Sequence, residues 1–307
     1  MSRNTRPGIV FAHGIWADGS SFGKGMPALQ AERYEVVSAQ NRREATPGGF
    51  MMRYALVAFT VLASGVATHL SAQSAGHATT AAKPTIVLVH GAWADASGWY
   101  DVTLALQARG YKVVAVQNSL FSYAKDIETT KRLLDAQQGP IVLVGHSYGG
   151  AVITAAAVGN PNVKSLVYVA AFAPDSNEAV GALLQRYPDL GLGKALAPDA
   201  AGFLYIDAAK YPEVFANGLP PTRARAFATA QKPIAGSALG EPLTVAPAWK
   251  TVPSWYVVAT QDRAINPELE RFMAKRMNAR VTELPAGHLV FISRAQDVAR
   301  IIESASQ

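Results

Sequence analysis

Ile141-Val142-Leu143-Val144-Gly145-His146-Ser147-Tyr148-Gly149-Gly150-Ala151-Val152-Ile153 passes from a β-branched apolar run through Gly-x-Ser-x-Gly into an Ala-rich helical pattern. A buried strand, a tight turn and a helix in that order form a nucleophile elbow, which forces a serine out above the end of a sheet. Ser147 is therefore expected in a strained backbone conformation with its Oγ presented to a reacting group. Gly145 and Gly149 are needed because a Cβ at either place would run into the adjoining strand or helix. The helix that starts there aims free N–H groups and its dipole at whatever binds above the serine. The competing reading, an exposed serine in an ordinary Gly-rich turn, leaves the polar groups met further along the chain without a role.

The flanking sequence keeps the same rhythm from Pro84 onward. Thr85-Ile86-Val87-Leu88-Val89 is apolar throughout, as in a strand covered on both faces. His90-Gly91-Ala92-Trp93 turns at its carboxyl end, and Asp95 or Ser97 is placed to cap a helix reaching Arg109, which Gly110 stops. Residues 111–116 read as a strand, 124–138 as a helix ended by Gly139-Pro140, and 163–171 as another apolar strand. This pitch predicts an α/β fold: a mostly parallel sheet with helices on both faces and right-handed crossovers. Between about 174 and 249 the rhythm breaks. Leu183, Leu184, Phe203, Tyr205, Phe215 and Phe227 fall in short helical pieces, expected to form a small helical cap that shuts water from the site. Residues 254–259 resume the sheet, 267–277 are helical, 279–284 are the last strand, and 296–304 a closing helix.

Reactive groups in an open parallel sheet gather at the carboxyl ends of its strands. Asp262 follows strand 254–259 and His288 follows strand 279–284. A serine hydroxyl needs a base, histidine is the side chain suited to that task, and the base needs a carboxylate to hold its tautomer. Ser147, Asp262 and His288 are thus the expected catalytic triad. An oxyanion needs two fixed donors, expected to be the N–H of Tyr148 and that of Ala92. Trp93 is expected against the substrate, and Trp99 either beside it or in the core. His90 is expected to tie down its turn, and His146 to pack under the serine. His13 is a copy of His90 with no serine of its own.

Half of the 307 residues are hydrophobic (50%) and only 16% are charged, which describes a globular chain with a generous core. The net charge of +6 is mild, and residues 1–75 carry half of it. No Lys/Arg cluster with interleaved aromatics occurs in the rest, so a nucleic-acid partner is not expected. With no cysteine and six scattered histidines, neither disulfides nor a metal site is indicated.

The first eighty residues hold a partial repeat. Residues 7–41 align without gaps to 84–118 at an offset of 77, with 18 of 35 positions identical. Only the opening β-α-β segment is copied, and no second Gly-x-Ser-x-Gly follows it. Between the copies, Met51-Met52-Arg53 leads into an apolar run of about fourteen residues and then Ser71-Ala72-Gln73-Ser74-Ala75, a secretory-signal pattern too short for a membrane span. Residues 51–75 are therefore expected to be a signal segment, 76–83 a linker and 84–307 the working domain. Translation is expected to start at Met51 or Met52, leaving 1–50 as a truncated upstream duplicate and the product exported, periplasmic or secreted. If residues 1–50 belong to the product, the signal acts as an anchor or the first copy packs on the sheet.

Residues 84–307, through His90-Gly91-Ala92-Trp93, Gly145-His146-Ser147-Tyr148-Gly149-Gly150, Asp262 and Gly287-His288, resemble the α/β-hydrolase superfamily. Within it they are similar to the small cofactor-free esterase, hydroxynitrile-lyase and haloperoxidase-like group. The resemblance implies no cofactor, a small-molecule ester as substrate, and hydrolysis through an acyl-enzyme. A lyase or perhydrolase outcome on the same triad, or a ligand-binding protein on this frame, is the alternative. A lysine beside Ser147 would favour the cyanohydrin lyase, with Lys210, Lys232 and Lys250 as candidates. The departures from the family pattern, a truncated first copy and an internal signal, bear on the start site and not on the chemistry.

Overall fold

A strand that must be apolar on both faces is sandwiched between two layers, and the centre of this molecule is built from such strands. The computed structural model describes residues 83–307 in full and, before them, the backbone of β1 (Ile9–Ala12) and β2 (Val36–Ala39). The signal-like segment 51–75, the linker up to residue 82, His13 and the remainder of residues 1–50 lie outside the described residues.

β3 (Thr85–Val89) and β5 (Ile141–Ser147) are buried at every position. β6 (Val163–Ala171) is buried at every position but Lys164. Each large aliphatic side chain so buried stabilises the fold by about 1.5–3 kcal/mol. With β4 (Val113–Val116), β10 (Ser254–Ala259) and β11 (Arg280–Leu284) they form a six-stranded sheet in the order β11-β10-β6-β5-β3-β4, parallel at every pairing. The edge strands are the least buried. Glu283 on β11 carries its charge outward to Arg271, 2.7 Å away, which protects an exposed edge from pairing with another chain.

The strand order reverses between β3 and β5. From β3 the chain first goes outward to β4, then returns to β5 on the other side and continues through β6 and β10 to β11. Connections leaving neighbouring strands in opposite directions open a crevice at their carboxyl ends. The turn after β3 and the serine at the end of β5 flank that crevice, with Val89 opposite Gly145.

Helices match the sequence pattern closely. Asp95 caps the 3-10 turn Ala96–Trp99, which leads into the helix Tyr100–Ala108. Ser122 caps Tyr123–Asp135, and Asn266 caps Pro267–Arg276. Between β6 and β10 lies the expected insertion, with short helices at Val180–Leu184, Leu192–Ala195, Tyr211–Val214, Pro221–Ala230 and Gly236–Gly240. It also holds an antiparallel sheet of β7 (Leu196–Pro198), β8 (Phe203–Ile206) and β9 (Ile234–Ala235), which the helical reading did not include. Phe203, Tyr211 and Phe215 of the insertion are buried. Among the described residues no helix is long and apolar enough to cross a membrane.

β1 and β2 pair in parallel from Ile9 opposite Val36 to Ala12 opposite Ala39. Adding the repeat offset of 77 gives Ile86 opposite Val113 and Val89 opposite Val116, the register of β3 and β4.

Candidate active site

The turn at Ser147 is as tight as its glycines require. Ser147 has φ 54° and ψ −126°, ends β5, and immediately precedes the helix Tyr148–Ala156. A side chain in that region is strained, and such outliers persist where surrounding packing over-determines them. A Cβ on Gly145 would lie 2.6 Å from the carbonyl oxygen of Gly149, and one on Gly149 would lie 2.5 Å from that of Val89. The helix therefore crosses both strands at backbone contact. Gly150 does the same against Phe172, and Gly91 against Ser147 itself, with 2.7 Å from its notional Cβ to the Ser147 Cβ. Only Gly145 and Gly149 were expected from sequence to make such close contacts. The need for the other two arises from elements distant along the chain.

The loops after β10 and β11 bring the other two groups to the serine. His288 Nε2 lies 3.0 Å from Ser147 Oγ, and His288 Nδ1 lies 2.6 Å from Asp262 Oδ2. Asp262 Oδ1 accepts from the N–H groups of Ala264 (2.7 Å) and Ile265 (2.9 Å), so backbone donors fix the carboxylate that faces the imidazole. Asp262 does not cap the following helix; Asn266 does. Ser147 is 3% exposed, Asp262 1% and His288 0%, so their charges interact with little screening by water.

His146 sits beneath this group. Its Nε2–H donates to the His288 carbonyl at 3.0 Å, and its ring packs 4.6 Å from that of His288 and 4.4 Å from Phe291. Burial first, then the neighbouring His288, holds its pKa well below the usual histidine value, so it stays neutral. Trp99 is fully buried against Phe291 and belongs to the core. His90 acts as a tie: its Nδ1 bonds the Gly91 carbonyl at 2.8 Å and its Nε2 accepts from the Asn118 N–H at 3.0 Å.

Tyr148 is the first residue of its helix, where N–H groups have no intrahelical carbonyl. Its hydroxyl donates to Asp126 Oδ2 at 3.0 Å, and Asp126 also accepts from the N–H groups of Ser119 and Leu120. Burial above all raises the Asp126 pKa, and it raises that of Tyr148 too, helped by the Asp126 charge. Sequence gave no sign of Asp126, because it acts from a helix distant along the chain.

A narrow cavity of about 10 Å³ lies beside the serine, lined by Ala92, Trp93, Tyr148, Phe172, Leu192 and Ile265 among others, together with Ser147 and His288. Trp93 is held by two bonds to the insertion: its Nε1–H donates to the Leu204 carbonyl at 2.8 Å, and its own carbonyl accepts from the Tyr211 hydroxyl at 3.2 Å. Phe215 packs its ring 4.8 Å from His288. Asn217 closes on the loops from the insertion side, donating to the Gln261 carbonyl at 2.7 Å and lying where any Cβ on Gly287 would go. The three candidate lysines line no part of this cavity. Lys210 bonds the Lys194 carbonyl, Lys232 that of Asn118, and Lys250 the Asp175 carboxylate at 2.6 Å.

Comparison with known proteins places this geometry in a family. The chain is 35% identical over 113 residues to a carbendazim hydrolyzing esterase of Nocardioides sp. (strain SG-4G), covering 33% of this chain and 47% of that protein. It is 33% identical over 129 residues to an alpha-hydroxynitrile lyase of Arabidopsis thaliana, covering 36% and 49%. These matches span about half the length of the two curated relatives. The solved structure of a pyrethroid hydrolase from Sphingobium faniae shares the fold, with a TM-score of 0.61 and 23% identity over 72% of this chain and 96% of that one. The model of the alpha/beta hydrolase family matches residues 86–301, from the second residue of β3 into the closing helix, and the chain belongs to that family.

Proposed function

We propose that this protein is a serine hydrolase that cleaves a small, apolar carboxylic ester through an acyl-enzyme. The observation that carries the reading is the unbroken line Ser147 Oγ, His288 Nε2, His288 Nδ1, Asp262 Oδ2, at 3.0 and 2.6 Å. Ser147 Oγ attacks the carbonyl carbon as His288 takes its proton, and Asp262 holds the imidazolium that forms. The negative oxygen of the tetrahedral intermediate lies between the N–H groups of Ala92 and Tyr148. His288 returns the proton to the departing alkoxide, and the alcohol leaves. A water then attacks the acyl group with His288 as base, releasing the acid and restoring the serine.

The cavity supports an apolar substrate, since apart from Ser147, Tyr148 and His288 its lining is hydrophobic. Trp93 forms part of its wall. Hydrolysis is favoured over a lyase outcome because no lysine among the described residues lines the cavity. We further read residues 84–307 as the catalytic domain with its cap at about 174–249. The pattern at 51–75 supports export with no stable membrane insertion once it is removed.

Hydrolysis of a short-chain p-nitrophenyl ester tests the reading. The Ser147→Ala chain should lose kcat/KM by about 10,000-fold or more. A fluorophosphonate probe should add its mass to the peptide that carries Ser147. Full esterase activity in Ser147→Ala, or labelling elsewhere, overturns the assignment.

A further inference from the structure

We propose that Glu270 is a neutral carboxylic acid that donates its proton in a hydrogen bond to Asp262, forming a carboxyl pair that positions the carboxylate behind His288. This rests on the reading of Asp262 as the group that orients His288. Glu270 lies on the helix Pro267–Arg276 and is fully buried (0% exposed). Its Oε2 accepts the N–H of Ala259, the last residue of β10, at 3.0 Å. Its Oε1 has no N–H or O–H donor among the described residues, and its carboxyl group lies against that of Asp262, close enough for the two to share a proton. Two carboxyl groups in such contact need a proton between them.

The donors around each group decide which one keeps it. Asp262 receives three: the N–H groups of Ala264 and Ile265 on Oδ1, and His288 on Oδ2. Glu270 receives one, from Ala259. Donors stabilise the ionised form, so Asp262 holds the charge and Glu270 the proton. The other charged or titratable groups near Glu270 do not change this. The Tyr256 hydroxyl, from β10, donates to the Ala171 carbonyl. Arg271, next along the helix, turns outward to Glu283 and Glu268 at 2.7 and 2.6 Å. Burial first, and the Asp262 charge second, push the Glu270 pKa well above the usual carboxyl range, in agreement with the donor count.

Glu270 is a positioning residue, since it reaches the serine only through Asp262 and His288. As pH rises through its pKa, a second negative charge forms against Asp262. The pair then repels, and the orientation of His288 is lost.

Full-length wild type, Glu270→Gln and Glu270→Leu test the proposal. A Gln amide can donate to Asp262 and accept from Ala259 without titrating. Glu270→Gln should keep kcat/KM within about threefold at neutral pH and lose the alkaline fall of activity, whereas Glu270→Leu should lower kcat by about tenfold to a hundredfold with KM unchanged, the effect of one hydrogen bond to a charged group. Infrared difference spectra at neutral pH should show the carbonyl band of a protonated carboxylic acid in wild type and lack it in Glu270→Gln. That band does not depend on turnover. It therefore separates failure of this proposal from failure of the esterase reading, and it decides the matter if Glu270→Leu does not fold. A missing band, or a Gln variant as impaired as the Leu variant, overturns the proposal.

Discussion

His146 occupies the variable position of Gly-x-Ser-x-Gly and acts as a strut, with its ring N–H on the carbonyl of the very residue that faces the serine. Its depressed pKa ties that strut to pH. The unfolded chain binds a proton on this side chain below about pH 6.5, while the folded chain resists it to lower pH. The stability His146 contributes is therefore complete above that pH and is lost as pH falls toward its folded pKa, by about 1.4 kcal/mol per pH unit. Glutamine keeps an N–H for the His288 carbonyl and cannot titrate. Urea unfolding from pH 7.5 to 5 should show His146→Gln losing less stability on acidification than wild type; parallel curves would mean the ring takes up its proton alike in the folded and unfolded chain. His146→Ala removes the strut and should cost about tenfold in kcat. At this scale the sequence displayed the groups whose chemistry is rare, Ser147, Asp262 and His288, because each lies at or just past the carboxyl end of a strand. It hid those that serve them through space. Glu270 reads as one more charge on an amphipathic helix, and Asp126 as a first-turn carboxylate, until packing puts Asp262 and Tyr148 beside them.

The helix after Ser147 holds its place by backbone contact with two strands, and that contact fixes where Ser147 and the Tyr148 N–H point. Gly149→Ala puts a methyl 2.5 Å from the Val89 carbonyl and 2.7 Å from that of His90, both rigid backbone atoms. The helix must move outward from the turn after β3, and overpacking of this kind costs about 1–3 kcal/mol. Gly240→Ala is the matched control, because a methyl there meets nothing within 4 Å. Thermal unfolding should show the first variant less stable by about that amount and nearly inactive, with the second unchanged or slightly more stable. Equal behaviour of the two would remove the contact argument. Elements of this sheet were legible because strand and helix periods alternate cleanly from Thr85 to Ala171 and again from Ser254 to Ser304. The insertion was legible only in part. β7, β8 and β9 contain three, four and two residues, too few for alternation to declare itself, and β7 ends in a proline. Their pairing brings Leu196 to Ile206 and Leu204 to Ile234, contacts that no local pattern announces.

The whole molecule contains one working sheet and one fragment that imitates its opening. β3 is bonded on both edges, to β4 and β5, whereas β1 pairs with β2 alone in their two-stranded sheet. The copied pair repeats the register of the original, as 18 identities in 35 positions would suggest, yet no serine-bearing strand follows it in sequence. Residues 83–307 hold all six strands, the insertion, and each of Ser147, Asp262, His288, Ala92 and Tyr148. A sheet whose strands are all present needs no second β3. A chain of residues 83–307 produced alone should thus fold with a melting temperature within about 2 °C of the full chain, less than 1 kcal/mol of lost stability would shift in a domain of this size. It should hydrolyse the same p-nitrophenyl ester with kcat/KM within about twofold, which is under 0.5 kcal/mol in the barrier. Calorimetry and steady-state kinetics on the two chains make the comparison. A large drop in either quantity would make the first copy part of the working fold and end its reading as a remnant. The N-terminal residue of the natural product bears on the same point, since a mature chain that begins before Met51 contradicts a start at Met51 or Met52.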